Sequence, residues 1–299
     1  MRFSRSGDDG PPLDREDPPY REDPPPRPGP NDRRTIPRRP RYPSGDPRWW
    51  IETTDDGSRT LVTRRPADDR PDEEAFADPH AVTYHSGCGA HSECEHVYLK
   101  YGGIQGPANH WPARILEVGL GTGMALLCTL DRYLETSAPL QYLGLETIPL
   151  PLSVLQQVFP PKDSGRWRHP DLPDRFLRWY ESQSFGGQTN HVWQVDALRS
   201  IEIRVEPLNK WFRNNTSTFD AIYFDPFDPA AAPELWQPDV MEALRRHILP
   251  GGRLVTYCVK GQVRRRMQAA GWTAERVPGP PGGKREVLMA TADPPSVHS

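Results

Sequence analysis

The sequence predicts an α/β protein built on a doubly wound, largely parallel sheet. Arg114 to Met124 reads RILEVGLGTGM: apolar residues, an acid, glycines at 119, 121 and 123, then the apolar run Ala125-Leu126-Leu127. That is the pattern of a buried strand, a tight turn and a helix start, because glycine tolerates positive φ and lets backbone approach a ligand, while the helix beyond presents free N–H groups. Downstream, short apolar runs alternate with helical stretches, as strand–helix units do. Acids also stand at the ends of successive runs, at Glu117, Glu146 and Asp196. In a doubly wound sheet these ends line the ligand crevice.

The outer bounds are permissive. A chain of 299 residues accommodates one large α/β domain and an appendage. With 37 basic and 40 acidic residues there is no overall field to attract nucleic acid, so such a partner needs a local patch. No apolar run reaches the length of a membrane span, and the N-terminus has no apolar core of a signal peptide. The four cysteines, Cys88, Cys94, Cys128 and Cys258, are scattered and read as reduced thiols, which sets a cytoplasmic expectation.

Residues 1–48 are dense in proline, arginine and aspartate and nearly empty of aliphatic side chains, so a disordered or polyproline-like tail is expected. Arg33, Arg34, Arg38, Arg39 and Arg41 make a local basic cluster there, more naturally a solvated tail than an RNA contact. Residues 49–110 form an expected β-rich extension. In it WWIETTDDGSRTLVTR reads as two strands around the hairpin signal Asp55-Asp56-Gly57, followed by a polar loop from Pro66 to Pro79. His85, Cys88, His91, Cys94 and His96 lie within a dozen residues and invite a metal test. Without a second cluster to complete the spacing, no metal is expected. Residues 111–292 make the expected α/β domain, and 293–299 a second tail.

Within that domain, Gln141 to Leu145 is an apolar strand ending in Glu146, placed to accept ribose hydroxyls. Pro151 to Phe159 and Arg175 to Tyr180 read as helices, with a proline-bearing insertion between. His191 to Val195 is expected as the third strand, with Asp196 accepting from an adenine amino group. The fourth strand, FDAIYF over Phe219 to Phe224, ends in Asp225-Pro226-Phe227-Asp228-Pro229. A side-chain oxygen there can orient an amine lone pair, and an aromatic ring offers a stacking face for a base. A helix over Asp239 to His247 closes at Pro250-Gly251-Gly252, and Arg253 to Cys258 is the fifth strand. A last helix starts near Gly261 and stops at Gly271, and a PGPPGG turn precedes the final strand, Glu286 to Ala290. Lys260, Arg264, Arg265, Arg266, Lys284 and Arg285 gather as candidates for the positive patch that the composition lacks.

Several separate motifs carry a resemblance. The E-x-G-x-G-x-G spacing resembles the loop of S-adenosylmethionine-dependent methyltransferases, and the DPF strand end that of enzymes methylating exocyclic nitrogens. TTDDGSRTLV, the HSxxGAxxExxHV pattern from His85 to Val97, EVGLGTG, FDPFDPxxxPELW and YCVKGQVRRRMQAAG with PGPPGGKRE together resemble the methyltransferase domain of the MnmC family, bacterial tRNA 5-aminomethyluridine methyltransferases. The resemblance spans about residues 50–291, and His85, Glu93 and His96 fall on family positions.

The resemblance implies a class I methyltransferase fold, a Rossmann-like seven-stranded sheet, with S-adenosyl-L-methionine as cofactor and tRNA as partner. It implies methyl transfer to the primary amine of 5-aminomethyl-(2-thio)uridine at the wobble position. By resemblance Glu117, Gly119, Gly121, Gly123, Glu146 and Asp196 hold the cofactor, Asp225 faces the amine and Phe227 the base. Pro226 and Asp228 depart from the small residue and alanine common in the family, which bears on the acceptor pocket. No second nucleotide-binding glycine loop is present, so a stand-alone methyltransferase without the FAD oxidase half of bifunctional members is expected. Another amine acceptor (a base or a polyamine), aminopropyl transfer, and a non-catalytic RNA-binding module of the same fold remain open at this stage.

Overall fold

A computed structural model describes residue 39 and residues 41–63 and 82–292. The tail over residues 1–38, the loop from Pro66 to Pro79 and the last residues, 293–299, lie outside the described residues.

A three-stranded antiparallel sheet comes first, formed by β1 (Arg41–Pro43), β2 (Trp49–Thr53) and β3 (Arg59–Thr63). The expected hairpin is there. Its turn runs from Thr54 to Ser58, with Gly57 at φ 79°. The sheet begins earlier than Trp49, because Arg41–Pro43 pairs antiparallel with β2, and the Arg39 and Arg41 guanidinium groups donate to Asp55 and Glu52. These two arginines of the basic cluster are therefore spent on the extension itself. The extension then turns helical: α1 (Ala90–Glu93) continues as a π-helical turn through Cys94–Lys100. Asp56 ties turn to helix, its carboxylate accepting from Ser58 and from both the amide and the hydroxyl of Ser92.

The main sheet contains β4 (Arg114–Val118), β5 (Leu140–Glu146), β6 (Asn190–Gln194), β7 (Arg199–Val205), β8 (Phe219–Phe224), β9 (Ile248–Thr256), β10 (Thr273–Pro278) and β11 (Glu286–Thr291). Their order is β10-β11-β9-β8-β4-β5-β7-β6, eight strands rather than seven. The five from β9 to β7 are parallel, while β6, β11 and β10 join antiparallel. Pro250-Gly251-Gly252 lies inside β9, not before it, and the β8–β9 register shifts beside it.

Helices cover both faces. On one side α2 (Met124–Tyr133), α3 (Leu152–Val158) and α4 (Leu172–Glu181) share a core with α1 and with Trp49, Ile51 and Leu61 of the small sheet. On the other side α5 (Leu208–Asn214), α6 (Pro238–Arg246) and α7 (Gly261–Ala269) bury Trp211, Met241, Leu244 and Met267. Each such buried side chain contributes about 1.5–3 kcal/mol. Proline at the start of α6 and Arg245 and Arg246 in its last turn suit the helix ends. Among the described residues no helix is long and apolar enough to cross a membrane.

Candidate active site

The site is built where β4 and β8 end side by side. The chain leaves β4 through Gly119, Gly121 and Gly123, at φ 87°, 54° and 78°, and enters α2 at Met124. Gly119 faces the backbone after β8, where a Cβ would stand 2.6 Å from the Asp225 carbonyl oxygen. The Asp225 amide in turn donates to the Val118 carbonyl at 2.9 Å. Only a glycine permits this approach. Gly121 lies against the Tyr84 ring, 3.2 Å from where its Cβ would be.

Glu146, at the end of β5, is held by three backbone amides. Gly121 donates to Oε2 at 3.0 Å, and Thr147 and Ile148 donate to Oε1 at 2.7 and 3.0 Å. A narrow cleft here is lined by Gly121, Glu146, Tyr180, Phe185 and Ile203. A turn too tight for side chains, next to a carboxylate already oriented, fits a ribose-bearing cofactor. Glu117 sits below, 1% exposed, accepting from the Tyr142 hydroxyl at 2.8 Å. Burial pushes its carboxyl well above the usual range, against that hydrogen bond.

Asp225 opens the strand-end loop after β8. Burial drives its carboxyl up to about 7, while the charge of His85, the Tyr98 hydroxyl and the charge of Lys284 pull it back and Glu93 pushes it further up. Next, Phe227 is 41% exposed, edge-on to Tyr84 with ring centroids 5.4 Å apart. Its carbonyl accepts from the Trp236 indole at 2.8 Å, and that of Pro226 from the Tyr257 hydroxyl at 2.9 Å. Both bonds fix the loop. Asp228 accepts from the Ala230 amide and pairs with Lys260 at 2.5 Å, so its carboxylate braces the loop.

One expected residue lies elsewhere. His191 to Val195 is not the third parallel strand. It corresponds to β6, an edge strand running antiparallel to β7. Asp196 therefore falls in the β6–β7 turn, at the amino end of β7 and opposite the crevice. There it accepts from the Leu198 and Arg199 amides and pairs with the Arg199 guanidinium at 2.7 Å. The strand beside β5 is β7, in register from Leu140–Arg199 to Glu146–Val205. Glu206, 7% exposed and 3.7 Å from both Arg204 and Lys210, takes the strand-end position that Asp196 was expected to hold. Its signal was the alternation Ile201, Ile203, Val205 just before it.

Of the basic residues, Lys284 stacks on the Tyr257 ring at 4.2 Å, on the Asp225 side of the sheet. Arg265 and Arg285 are exposed, Arg264 is half-buried, and Arg266 donates to the Trp236 carbonyl. The histidine and cysteine cluster disperses. His96 bonds to the Pro278 carbonyl, His91 packs on Trp167, and Cys94 and Cys128 are buried. No three potential ligands among the described residues converge on a metal position.

Comparison with known proteins agrees with this architecture. The Methyltransf_30 family, described as S-adenosyl-L-methionine-dependent methyltransferase, matches residues 184–293. The chain is 29% identical over 235 residues to the tRNA 5-methylaminomethyl-2-thiouridine biosynthesis bifunctional protein MnmC of Delftia acidovorans, covering 77% of this chain and 35% of that protein. It is 28% identical over 239 residues to the protein of the same name from Magnetococcus marinus, covering 78% and 34%. The chain thus spans about a third of the length of these curated relatives. The crystal structure of MnmC2 from Aquifex aeolicus superposes with a TM-score of 0.59 at 20% identity, covering 82% of this chain and 70% of that one. The fold is that of class I S-adenosylmethionine-dependent methyltransferases.

Proposed function

We propose that this chain, which carries an MnmC-like methyltransferase domain, methylates the primary amine of 5-aminomethyl-(2-thio)uridine at the tRNA wobble position, giving 5-methylaminomethyl-(2-thio)uridine. The observation that carries this reading is Asp225, a half-buried carboxyl in backbone contact with the glycine loop and two residues before an exposed aromatic ring. The setting is the cytoplasm, where tRNA is modified.

The glycine loop, Glu146 and Glu206 would hold S-adenosyl-L-methionine, with Glu117 supporting the loop from below. Bound there, the cofactor supplies a methyl group on a sulfonium sulfur, which an amine lone pair displaces as the bonding electrons leave to sulfur. The residues of this chain prepare that amine. An alkyl amine of lysine type has a reference pKa of about 10.4 and arrives as ammonium. Asp225 attracts it, accepts a proton and aims the lone pair; a carboxyl that ionises near 7 is a better proton acceptor than one near 3.8. Phe227, backed by Tyr84 and anchored through Trp236, offers its face to the uracil ring. Lys284, Arg265 and Arg285 would meet tRNA phosphates.

The test is to incubate the purified protein with S-adenosylmethionine and tRNA bearing 5-aminomethyluridine, then digest and weigh the nucleosides. Gain of one methyl on that nucleoside supports the reading. Absence of gain with cofactor binding intact overturns the acceptor, and absence of binding overturns the enzymatic reading as a whole.

A further inference from the structure

Tyr84 stands where the two halves of the site meet, and the chemistry above gives it only the task of backing Phe227. The residues before α1 run beside β3 as a short antiparallel segment. The Thr63 amide donates to the Val82 carbonyl at 2.8 Å, the Tyr84 amide to the Leu61 carbonyl at 2.9 Å, and Thr83 bridges Val62. The next residue is tied in the same way, the His85 amide donating to the Thr60 hydroxyl at 3.0 Å. Successive side chains of such a segment point to opposite faces. Thr83 is accordingly exposed, while Tyr84 is half-buried and packs against the core that the small sheet shares with the main one.

The Tyr84 ring reaches two loops at once. Its Cδ1 and Cε1 lie 3.2 and 3.5 Å from where a Gly121 side chain would begin, so the ring occupies space that the glycine leaves open. Gly121 is also the residue whose amide holds Glu146. The same ring meets Phe227, with centroids 5.4 Å apart and planes at 89°. Two rings at right angles make a corner. A flat base stacks on one of them and turns its edge to the other, and both are favourable aromatic contacts. An aliphatic amine has no plane to offer and gains neither. A ring tied to a sheet and wedged against a loop has little freedom to lose when a ligand arrives, so the corner is preorganised.

We infer that Tyr84 is a specificity-determining residue: with Phe227 it forms a two-ring corner that receives the uracil of the acceptor and favours amines carried on a base over aliphatic amines such as polyamines. The inference rests on the reading of Phe227 as the residue that meets the acceptor base. It makes the small N-terminal extension part of acceptor recognition, because Tyr84 comes from that extension, whereas Gly121 follows β4 and Phe227 follows β8.

The experiment compares wild type with Tyr84→Leu and Tyr84→Phe in the full chain. The probes are two anticodon stem-loop RNAs, one with 5-aminomethyluridine at the wobble position and one with an abasic residue there. The ratio of their dissociation constants isolates the contact with the base from contacts with phosphates. Tyr84→Leu, apolar but without a ring, should lower the preference for the base-bearing RNA by about fivefold or more. Tyr84→Phe keeps both ring faces and should leave it within about twofold. Affinity for S-adenosylhomocysteine should stay within about threefold in both variants. An unchanged preference in folded Tyr84→Leu overturns the inference. So does a loss of cofactor affinity equal to the loss of preference, the mark of a residue that only props the glycine loop. If Tyr84→Leu fails to fold, Tyr84→Met, which fills similar space without a ring, decides by the same criteria. A wild type without preference for the base also overturns the inference. One that prefers the base-bearing RNA but transfers no methyl to it would count against the proposed function and leave the Tyr84 comparison standing.

Discussion

Gly119 and Asp225 meet backbone to backbone at the ends of adjacent strands, so tightly that a Cβ on the glycine would lie 2.6 Å from the aspartate carbonyl oxygen. The contact joins the loop proposed to hold the cofactor to the residue proposed to meet the acceptor. Gly119 also sits at φ 87°, where an L side chain is strained. Gly119→Ala should therefore separate the two strand ends. The expected result is a loss of S-adenosylmethionine affinity of at least tenfold and a lower melting temperature, with strain on the order of 1–3 kcal/mol. Isothermal calorimetry and thermal unfolding would report both, and unchanged values would refute the close contact.

Asp225→Ala should lower kcat by about 10²–10⁴-fold, the usual range for general acid–base groups. Cofactor affinity should change by less than about threefold. Equal losses in both would assign Asp225 a merely structural role.

The carboxyl of Asp225 ionises at about 7 when folded, raised from 3.8 by burial. A raised carboxyl contributes stability that is fully present below about pH 3.8 and is lost progressively as pH rises through about 7. Above pH 7 the wild type should thus be less stable than Asp225→Asn, by about 1–3 kcal/mol once solvent screening is allowed for. Denaturant melts at pH 4 and pH 8 test this: the two proteins should converge at the lower pH and separate at the higher.

Glu206 and Asp196 make opposite predictions from similar chemistry. Glu206→Gln should weaken S-adenosylmethionine binding about tenfold, the loss of one charged hydrogen bond. Asp196→Asn should leave binding unchanged and lower stability through the Arg199 turn. The reverse pattern would restore Asp196 to the site.

Phe227→Ala should raise KM for tRNA by roughly 5–150-fold, corresponding to about 1–3 kcal/mol of base stacking, with the cofactor dissociation constant unaltered. A change confined to cofactor binding would exclude the stacking role.

Much of the site was legible because it is local. The glycine loop, Glu146 and the Asp225–Phe227 strand end each occupy a few consecutive residues whose chemistry and position after an apolar run declare their place. The hairpin at Asp55-Asp56-Gly57 was legible for the same reason. β6 and β7 were not separable in this way. Period-two alternation marks a strand but carries no direction, so His191–Gln194 passed for a parallel strand when it is the outgoing arm of an antiparallel pair. That reversal carried Asp196 to the far edge of the sheet.

The sequence by itself determined the α/β class, the turn at Gly119 to Gly123 and the residues that follow β5 and β8, because short-range backbone sterics and hydrophobic periodicity act within a few positions of the chain. Only the tertiary structure decided which acid ends the strand beside Glu146, that Glu117 is buried against the Tyr142 hydroxyl, and that His85 and Glu93 pair beneath the small sheet. These depend on desolvation and on groups brought together by strand order and helix packing, which the order of residues in the chain does not reveal.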